Sequence, residues 1–366
     1  MKEHHERFDK GTLTKLSLLR RYFGAAFNIF LNRFPRITIV DCFAGPGSDR
    51  EGQPGSPKIL LDILQASQEA AFQKRVPVVA VFNEANSKKY QKLKILVESF
   101  HLPKSCFQVE TRNKPFAELA PGVNSYLKEK GGASFLFIDQ FGVKEVTRVI
   151  FQKLVEIQAC DFMFFVSSFH YRRFIKHSTF QELGLLTSEE VEDIKPQHVH
   201  RKMAEGYRRW LPKTSRGSRY YVIPFSIKKN SSIHGLVFCS GDPMGAETFL
   251  KAAWKEDPET GEANYDIDND QIREGQLTLF GGMQKPKKLD MFEQELKDRI
   301  LNGEIKTLQE AYLFTIETGC LPKHGKQVFT SLFEMGKLAD RITQIEYGLL
   351  KEKPIPIRLT EKHVKD

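Results

Sequence analysis

No CxxC pair occurs in the 366 residues; the five cysteines, Cys42, Cys106, Cys160, Cys239 and Cys320, lie far apart. That spacing excludes a thiolate metal cluster and a disulfide framework, and it leaves buried free thiols as the plain reading. No stretch approaches the roughly eighteen uncharged apolar residues of a membrane-spanning helix. The opening MKEHHERFDKGTLTK is charged and lacks an apolar core, which predicts no secretion signal and a cytoplasmic protein. Internal repeats are absent. So is a GxGxxG leading straight into a helix, the fingerprint of dinucleotide sites.

The chain is rich where it needs a core: 40% of residues are hydrophobic, 29 of them Phe. Its length suggests two domains, or one large domain with an appendage. The net charge of +9 is uneven. Between Phe165 and Ser232 there are 13 Lys and Arg against 6 Asp and Glu. Local basic enrichment of this kind suits phosphate contact, and equally a solvated helical face.

Apolar residues at Leu16, Leu19, Phe23, Phe27 and Phe30 predict an opening helix. Ile37–Val40 is a β-branched, fully apolar run, the pattern of a buried parallel strand. Ser56-Pro57 reads as an N-cap followed by proline at the first helical position. Further strands are expected over Val76–Glu84, 106–113, Ala133–Gly142 and Cys160–Phe169, with helices between them. YYVIPFSIKKN and HGLVFCSG, joined by a short polar turn, form an edge hairpin. This alternation predicts an α/β fold: a doubly wound, Rossmann-like sheet of parallel strands plus an edge hairpin, in the order of class I methyltransferases. A hydride-transfer fold also begins this way. The domain reading is 1–256 for this sheet, with a basic insert over about 170–219, then a polar linker over 257–288. A C-terminal winged-helix domain follows over 289–366, with two amphipathic helices and two short wing strands.

In such sheets ligands bind at the carboxyl ends of the strands. Asp41-Cys42-Phe43-Ala44-Gly45-Pro46-Gly47 ends the first strand, with small residues that let backbone approach a ligand. Here the carboxylate precedes the glycines. It would repel a pyrophosphate, but it suits the ammonium of S-adenosylmethionine. The expected cofactor contacts are Asp41, Phe43, Ala44, Gly45 and Gly47; the alternative is a structural turn. The inserted Ser48–Gly55 reads as a lid over the methionine end. Glu84 at the end of the second strand is either a ribose ligand or a helix N-cap. Glu110, at the third, faces the expected adenine position. Asp139, Gln140 and Phe141 follow the fourth strand as catalytic candidates: acceptors for an exocyclic amine and an aromatic for its ring, acting by positioning. Alternatively Asp139 only helps hold cofactor. The chain has no Pro-Cys dipeptide, which argues against cytosine-ring methylation, although DCFAGPG resembles that family's first motif.

Basic and aromatic residues cluster beyond the fifth strand at Tyr171, Arg172 and Arg173, then at Arg201, Arg208 and Arg209, a pattern for nucleic-acid contact. In the tail, Lys323 and Lys326 open the second helix of the winged domain, where such domains read a groove. The tail from Met283 carries 15 basic and 13 acidic residues, so a protein-binding role for it stays equally open. Gln276-Leu277-Thr278-Leu279-Phe280 resembles the short peptide by which bacterial proteins dock on the sliding clamp, or it anchors the linker on its own domain.

Taken together, Glu3–Phe30, VDCFAGPG followed by GSP, FNE, FIDQFG, HGLVFCSGDPMGAETFLKAAWK and the winged tail resemble the three-Cys-motif partner (TcmP) protein family over nearly the whole chain. The resemblance implies a methyltransferase-like fold of bacterial or phage origin and a separate three-cysteine protein of the radical-adenosylmethionine type as partner. Where that family shows Asp-Pro-Phe-Gly, this chain has Asp139-Gln140-Phe141-Gly142. Two functions are open: a methyltransferase acting on a base amine, in DNA rather than RNA, or a non-catalytic DNA-binding adaptor with the same fold.

Overall fold

The computed structural model describes residues 7–119, 127, 131–140, 142–213, 220–271 and 286–360. The chain divides into two units, Met1–Thr248 and Phe249–Asp366.

The first unit opens with helix α1, Lys10–Arg33. Asp9 caps it by accepting the Thr12 amide at 3.0 Å, and it ends before Pro35, whose ring disfavours helical backbone at the preceding residue. Its inner stripe, Leu16, Leu19, Tyr22, Phe23, Phe27 and Phe30, is buried. Tyr22 and Phe23 lie on Phe135 of the sheet at ring-centroid distances of 5.5 and 5.1 Å. Each such buried side chain contributes about 1.5–3 kcal/mol through lost apolar surface.

Strands β1 (Ile37–Asp41), β2 (Val78–Asn83), β3 (Phe107–Arg112), β4 (Ala133–Ile138) and β5 (Cys160–Val166) are parallel. With β6 (Tyr221–Lys229) and β7 (Ser232–Ser240) they form one sheet in the order β3-β2-β1-β4-β5-β7-β6. Strand β7 runs antiparallel between β5 and β6. That insertion rules out the all-parallel dinucleotide order and is the sheet of class I methyltransferases. The hairpin turn is tighter than expected. Lys229 pairs with Ser232, so Asn230 and Ser231 alone make the turn, and Asn230 takes a left-handed φ of 55°. Pro224, which cannot donate to a ladder, sits on β6 at the sheet edge.

Helices cover both faces. They are α2 (Ser56–Ala66), α3 (Gln68–Lys74), α4 (Ser87–Ser99) and α5 (Arg148–Val155). Beyond β5 come short helices α6 (Ser168–Arg173), α7 (Ser178–Leu183) and α8 (Ser188–Glu192), then α9 (Val199–Arg209). Gly55, not Ser56, is the N-cap of α2, and Ser56 is its first helical residue.

The division between units falls inside α10, Pro243–Glu256. Residues 257–271, expected as linker, are structured within the second unit. The Asp257 carboxylate accepts amides of Glu259, Thr260, Glu262 and Ala263, and Lys288 donates to the Thr260 carbonyl at 2.7 Å. The Gln276–Phe280 peptide lies outside the described residues. Three helices follow: α11 (Lys287–Leu301), α12 (Leu308–Glu317), opened by a Thr307–Glu310 capping box, and α13 (Pro322–Glu334). The two expected wing strands are shorter than the sequence pattern implies. Isolated bridges join Thr307 to Pro356 and Leu338 to Leu359, and a 3-10 turn at Tyr347–Lys351 occupies much of the stretch. Pro354 and Pro356 cannot donate to a ladder, which limits its length.

Candidate functional site

The chain builds outward from β1 through β2 to β3, then returns to lay β4 on the other side of β1. A crevice therefore opens beyond the carboxyl ends of β1 and β4, the position where open α/β sheets bind ligands.

Asp41 ends β1 there and is 0% exposed. Its Oδ1 accepts the Phe43 amide at 3.3 Å, while Oδ2 has no hydrogen-bond partner among the described residues. Burial pushes its pKa up to about 7; the Ser56 hydroxyl and Phe43 amide oppose the rise, and the charges of Asp139 and Glu84 add to it. Direct ligand contact was the expectation for Asp41, but the carboxylate lies beneath the glycine loop. A buried, unpartnered acidic oxygen costs free energy unless a cation approaches or a proton stays on.

The loop above it is pinned on three sides. The Cys42 amide donates to Phe137 of β4, the Ala44 amide to Asn83 of β2 and the Gly45 amide to Glu84 at 3.0 Å. Gly45 and Gly47 adopt φ of 66° and 100°, conformations that disfavour side chains. A Cβ at Gly45 would meet nothing within 4 Å, so this stretch of backbone faces open space. A Cβ at Gly47 would fall 2.3 Å from Leu96. Phe43 stacks on Phe116 with centroids 5.3 Å apart and is half-buried; Ala44 is buried. The insertion after the glycines is not free to act as a lid. Ser48 bridges Pro54, Asp49 accepts the amides of Glu51 and Gln53, and the Phe8 amide ties Asp49 to the start of the chain.

Glu84 is not an N-cap; Asn86 caps α4. Its oxygens take the Gly45 and Asn86 amides, each keeping a second lone pair for a ligand. Glu110 does not join this group. It pairs with Val81 in register, two residues short of the strand end, and its carboxylate is held by Arg112 and Gln108. Strand alternation places those three on one face.

At the end of β4, Asp139 forms an ion pair with Lys15, a buried lysine of α1 that also lies over the Phe165 ring at 5.0 Å. Only Oδ2 of Asp139 is engaged among the described residues. Gln140 is 1% exposed, its Nε2 donates to the Phe165 carbonyl, and its oxygen accepts the amides of Glu145 and Val146. It ties the segment between β4 and α5 to β5, with both ends of its amide spent on backbone, where a substrate contact was expected. Phe141 lies outside the described residues.

The basic segment separates into two kinds of residue. Tyr171 is fully buried with its hydroxyl on the Leu186 amide, so it cannot reach nucleic acid. Arg208 donates to the Val222 carbonyl, and Arg209 is bound to Glu190 and to the Leu185 carbonyl; both are structural. Arg201 is half-buried on α9. Arg172 and Arg173 are exposed at the carboxyl edge of β5, and between them and Lys176 stands Phe174, 43% exposed. Arg173 lies over the Phe174 ring at 5.5 Å. In the second unit, Lys323, Lys326 and Gln327 are exposed on α13, whereas His324 is buried against Trp254 at 4.4 Å.

Four residues with buried or shared polar contacts were not singled out in the sequence: Lys15, Asn83, Ser167 and His234. Lys15 had a signal, a charge set on the apolar stripe of α1 one and two turns before Leu19 and Tyr22. Asn83 is buried, and its amide clasps the Cys42 and Lys114 carbonyls. Burial pushes the thiols of Cys42, Cys160 and Cys239 well up, and that of Cys320 to about 11, which makes these four poor nucleophiles. Among the described residues no cluster of acids, histidines and thiols could hold a metal, and no helix is long and apolar enough to cross a membrane.

Residues 264–339 match the family model described as a GMT-like wHTH domain. The tail is a winged helix. No curated protein matches the chain. Among solved structures it is similar to Trm1 from Pyrococcus horikoshii in complex with S-adenosyl-L-methionine, at 11% identity and a TM-score of 0.38, covering 100% of this chain and 94% of that one. It is also similar to a putative class I S-adenosylmethionine-dependent methyltransferase from Listeria monocytogenes, at 6% identity and a TM-score of 0.31 over 64% and 62% of the two chains. A putative methylase from Haemophilus influenzae overlaps at 11% identity and a TM-score of 0.27, over 59% and 85%. At these scores none of the overlaps places a ligand or a residue.

Proposed function

We propose that the protein is an S-adenosylmethionine-dependent methyltransferase of nucleic acid, acting on a base amine and on DNA in preference to RNA. The observation that carries the reading is the buried, unpartnered Oδ2 of Asp41 under a glycine loop at the switch point of the sheet. Bound there, the cofactor supplies an electrophilic methyl group on a sulfonium centre. The chain does the rest. Asp41 provides negative charge beneath the methionine ammonium, the open backbone at Gly45 admits it, and Glu84 offers two oxygens to the ribose hydroxyls. Asp139, with one oxygen on Lys15, presents the other to the substrate amine. Arg172 and Arg173 hold phosphates, and Phe174 offers a stacking face. The winged-helix unit supports a DNA-binding role, with Lys323 and Lys326 at the start of α13.

The resemblance to three-Cys-motif partner proteins adds a three-cysteine protein as working partner, and Gln276–Phe280 adds a docking point for the sliding clamp. Tritiated-methyl transfer to DNA and RNA, with and without that partner, tests the reading. Label in DNA that disappears in Asp139→Ala supports it; no label under any condition ends it.

The adaptor reading is favoured by one feature: Gln140 is consumed by backbone and Asp139 is half neutralised by Lys15, so few acceptors face a substrate. It requires DNA binding with a steep salt dependence and no transferred label.

A further inference from the structure

Just beyond β5, two histidines share one hydroxyl. Ser167, which follows β5 and is 2% exposed, has its Oγ 2.6 Å from Nδ1 of His170 and 3.0 Å from Nδ1 of His234. A serine hydroxyl has one proton to give. When it donates to one Nδ1, the other ring must turn an Nδ1–H toward it. A neutral imidazole carries a proton on only one nitrogen. With the Ser167 proton on one of these contacts, two neutral rings take opposite tautomers. One presents Nε2–H and the other a bare, basic Nε2.

Burial and exposure separate the two rings. His234 stacks on Phe165, the ring that also carries Lys15. Burial, His170, Lys229 and Lys15 hold its pKa down to about 4, with Asp9 opposing. It stays neutral and takes no further proton. His170 is half-exposed on α6 and stacks on the exposed Phe174 at 6.2 Å. The Ser167 amide donates to the Gly142 carbonyl, which fastens the cluster to the loop that follows Asp139.

We propose that His170, oriented by Ser167 with His234 as the second ring, is the base that takes the proton lost by the substrate nucleophile as it gains a methyl group. This rests on the methyltransferase reading. The nitrogen lone pair would form the new N–C bond as the methyl's bond to the sulfonium sulfur breaks with its pair left on sulfur; the N–H bond breaks, its electron pair stays on nitrogen, and the proton bonds to Nε2 of His170. The resulting imidazolium still donates its Nδ1–H to Ser167 and later releases the added proton to solvent. The stacked Phe174 and the flanking Arg172 and Arg173 place a base and its phosphates over this ring.

Nitrogen-15 spectra of the full chain, with histidines assigned by His170→Asn and His234→Asn, read the tautomers directly. The proposal expects Nδ1–H with bare Nε2 at His170 and Nε2–H at His234, and a mixed population at His170 in Ser167→Ala. An Nε2–H tautomer at His170 overturns it. In methyl transfer, His170→Asn is expected to lower the rate about 10²-fold while calorimetric binding of S-adenosylmethionine is unchanged. Its pH–rate profile loses one acidic limb, and in Ser167→Ala that limb shifts. Transfer with unaltered rate and profile in His170→Asn sinks this step alone. A wild-type protein that labels no nucleic acid sinks the parent reading and this step with it.

Discussion

Asp41 concentrates the tension of the site. Its folded pKa, near 7, lies above the unfolded value of 3.8. Its stabilising contribution is therefore complete below the unfolded value and is lost as pH rises through 7. The buried His200, whose Nε2 lies 2.9 Å from the Leu236 carbonyl, runs the other way. Burial drops its pKa to about 4, so its contribution is present above 6.5 and lost as pH falls. Replacing Asp41 with Asn removes only the first effect. The melting-point difference, variant minus wild type, should rise between pH 5 and pH 8; a flat difference would mean that Asp41 is not held protonated. The carboxylate before the glycines was legible in the sequence, as was Glu84. That Asp41 sits under the loop was not, because the loop is held over it by Asn83 of β2 and Phe137 of β4, both distant in sequence. Gln140 misled for a related reason. Its neighbours in sequence suggested a substrate face, but its partners, Phe165, Glu145 and Val146, close around it in space.

At the level of elements, strands β1, β2, β4 and β5 announce themselves as apolar runs because both of their faces are covered. Edge strand β3 carries polar residues on its open face; its extent was legible, but the pairing of Glu110 with Arg112 and Gln108 on that face was not. Helices short enough to depend on their contacts, α6 to α8, are blurred in sequence for the same reason. Close packing between elements gives a sharp test. A Cβ on Gly235 of β7 would lie 2.2 Å from Nε2 of His200 on α9. Gly235→Ala should cost about 1–3 kcal/mol of stability, as overpacking does, read from denaturant midpoints. It should also break the bond from His200 to Ser168. An unchanged midpoint would mean that α9 shifts freely on the sheet. Arg209→Ala, by contrast, should weaken stability and leave nucleic-acid affinity alone, since its guanidinium is spent on Glu190 and Leu185.

At the scale of the whole molecule, the winged unit mixes its charge. Helix α11 carries Lys287, Lys288, Lys297 and Arg299 beside Asp290, Glu293, Glu295 and Asp298, while α13 opens on exposed Lys323 and Lys326 and has no acidic residue before Glu334. Sequence totals near neutrality hide this local basic end. Lys323→Glu with Lys326→Glu should weaken DNA binding and reduce the slope of log affinity against log salt by about two, one for each lost phosphate contact. An unchanged slope would assign the unit to a protein partner. Everything in the account, however, depends on the crevice above Asp41 accepting a cationic cofactor. Calorimetry with S-adenosylmethionine, repeated at pH 6 and pH 8 in buffers of different ionisation heat, tests that most directly. A cation favours the ionised carboxylate, so binding should be tighter at pH 8, should release a proton at pH 6 and should weaken more than tenfold in Asp41→Ala. No heat of binding at either pH would contradict the account.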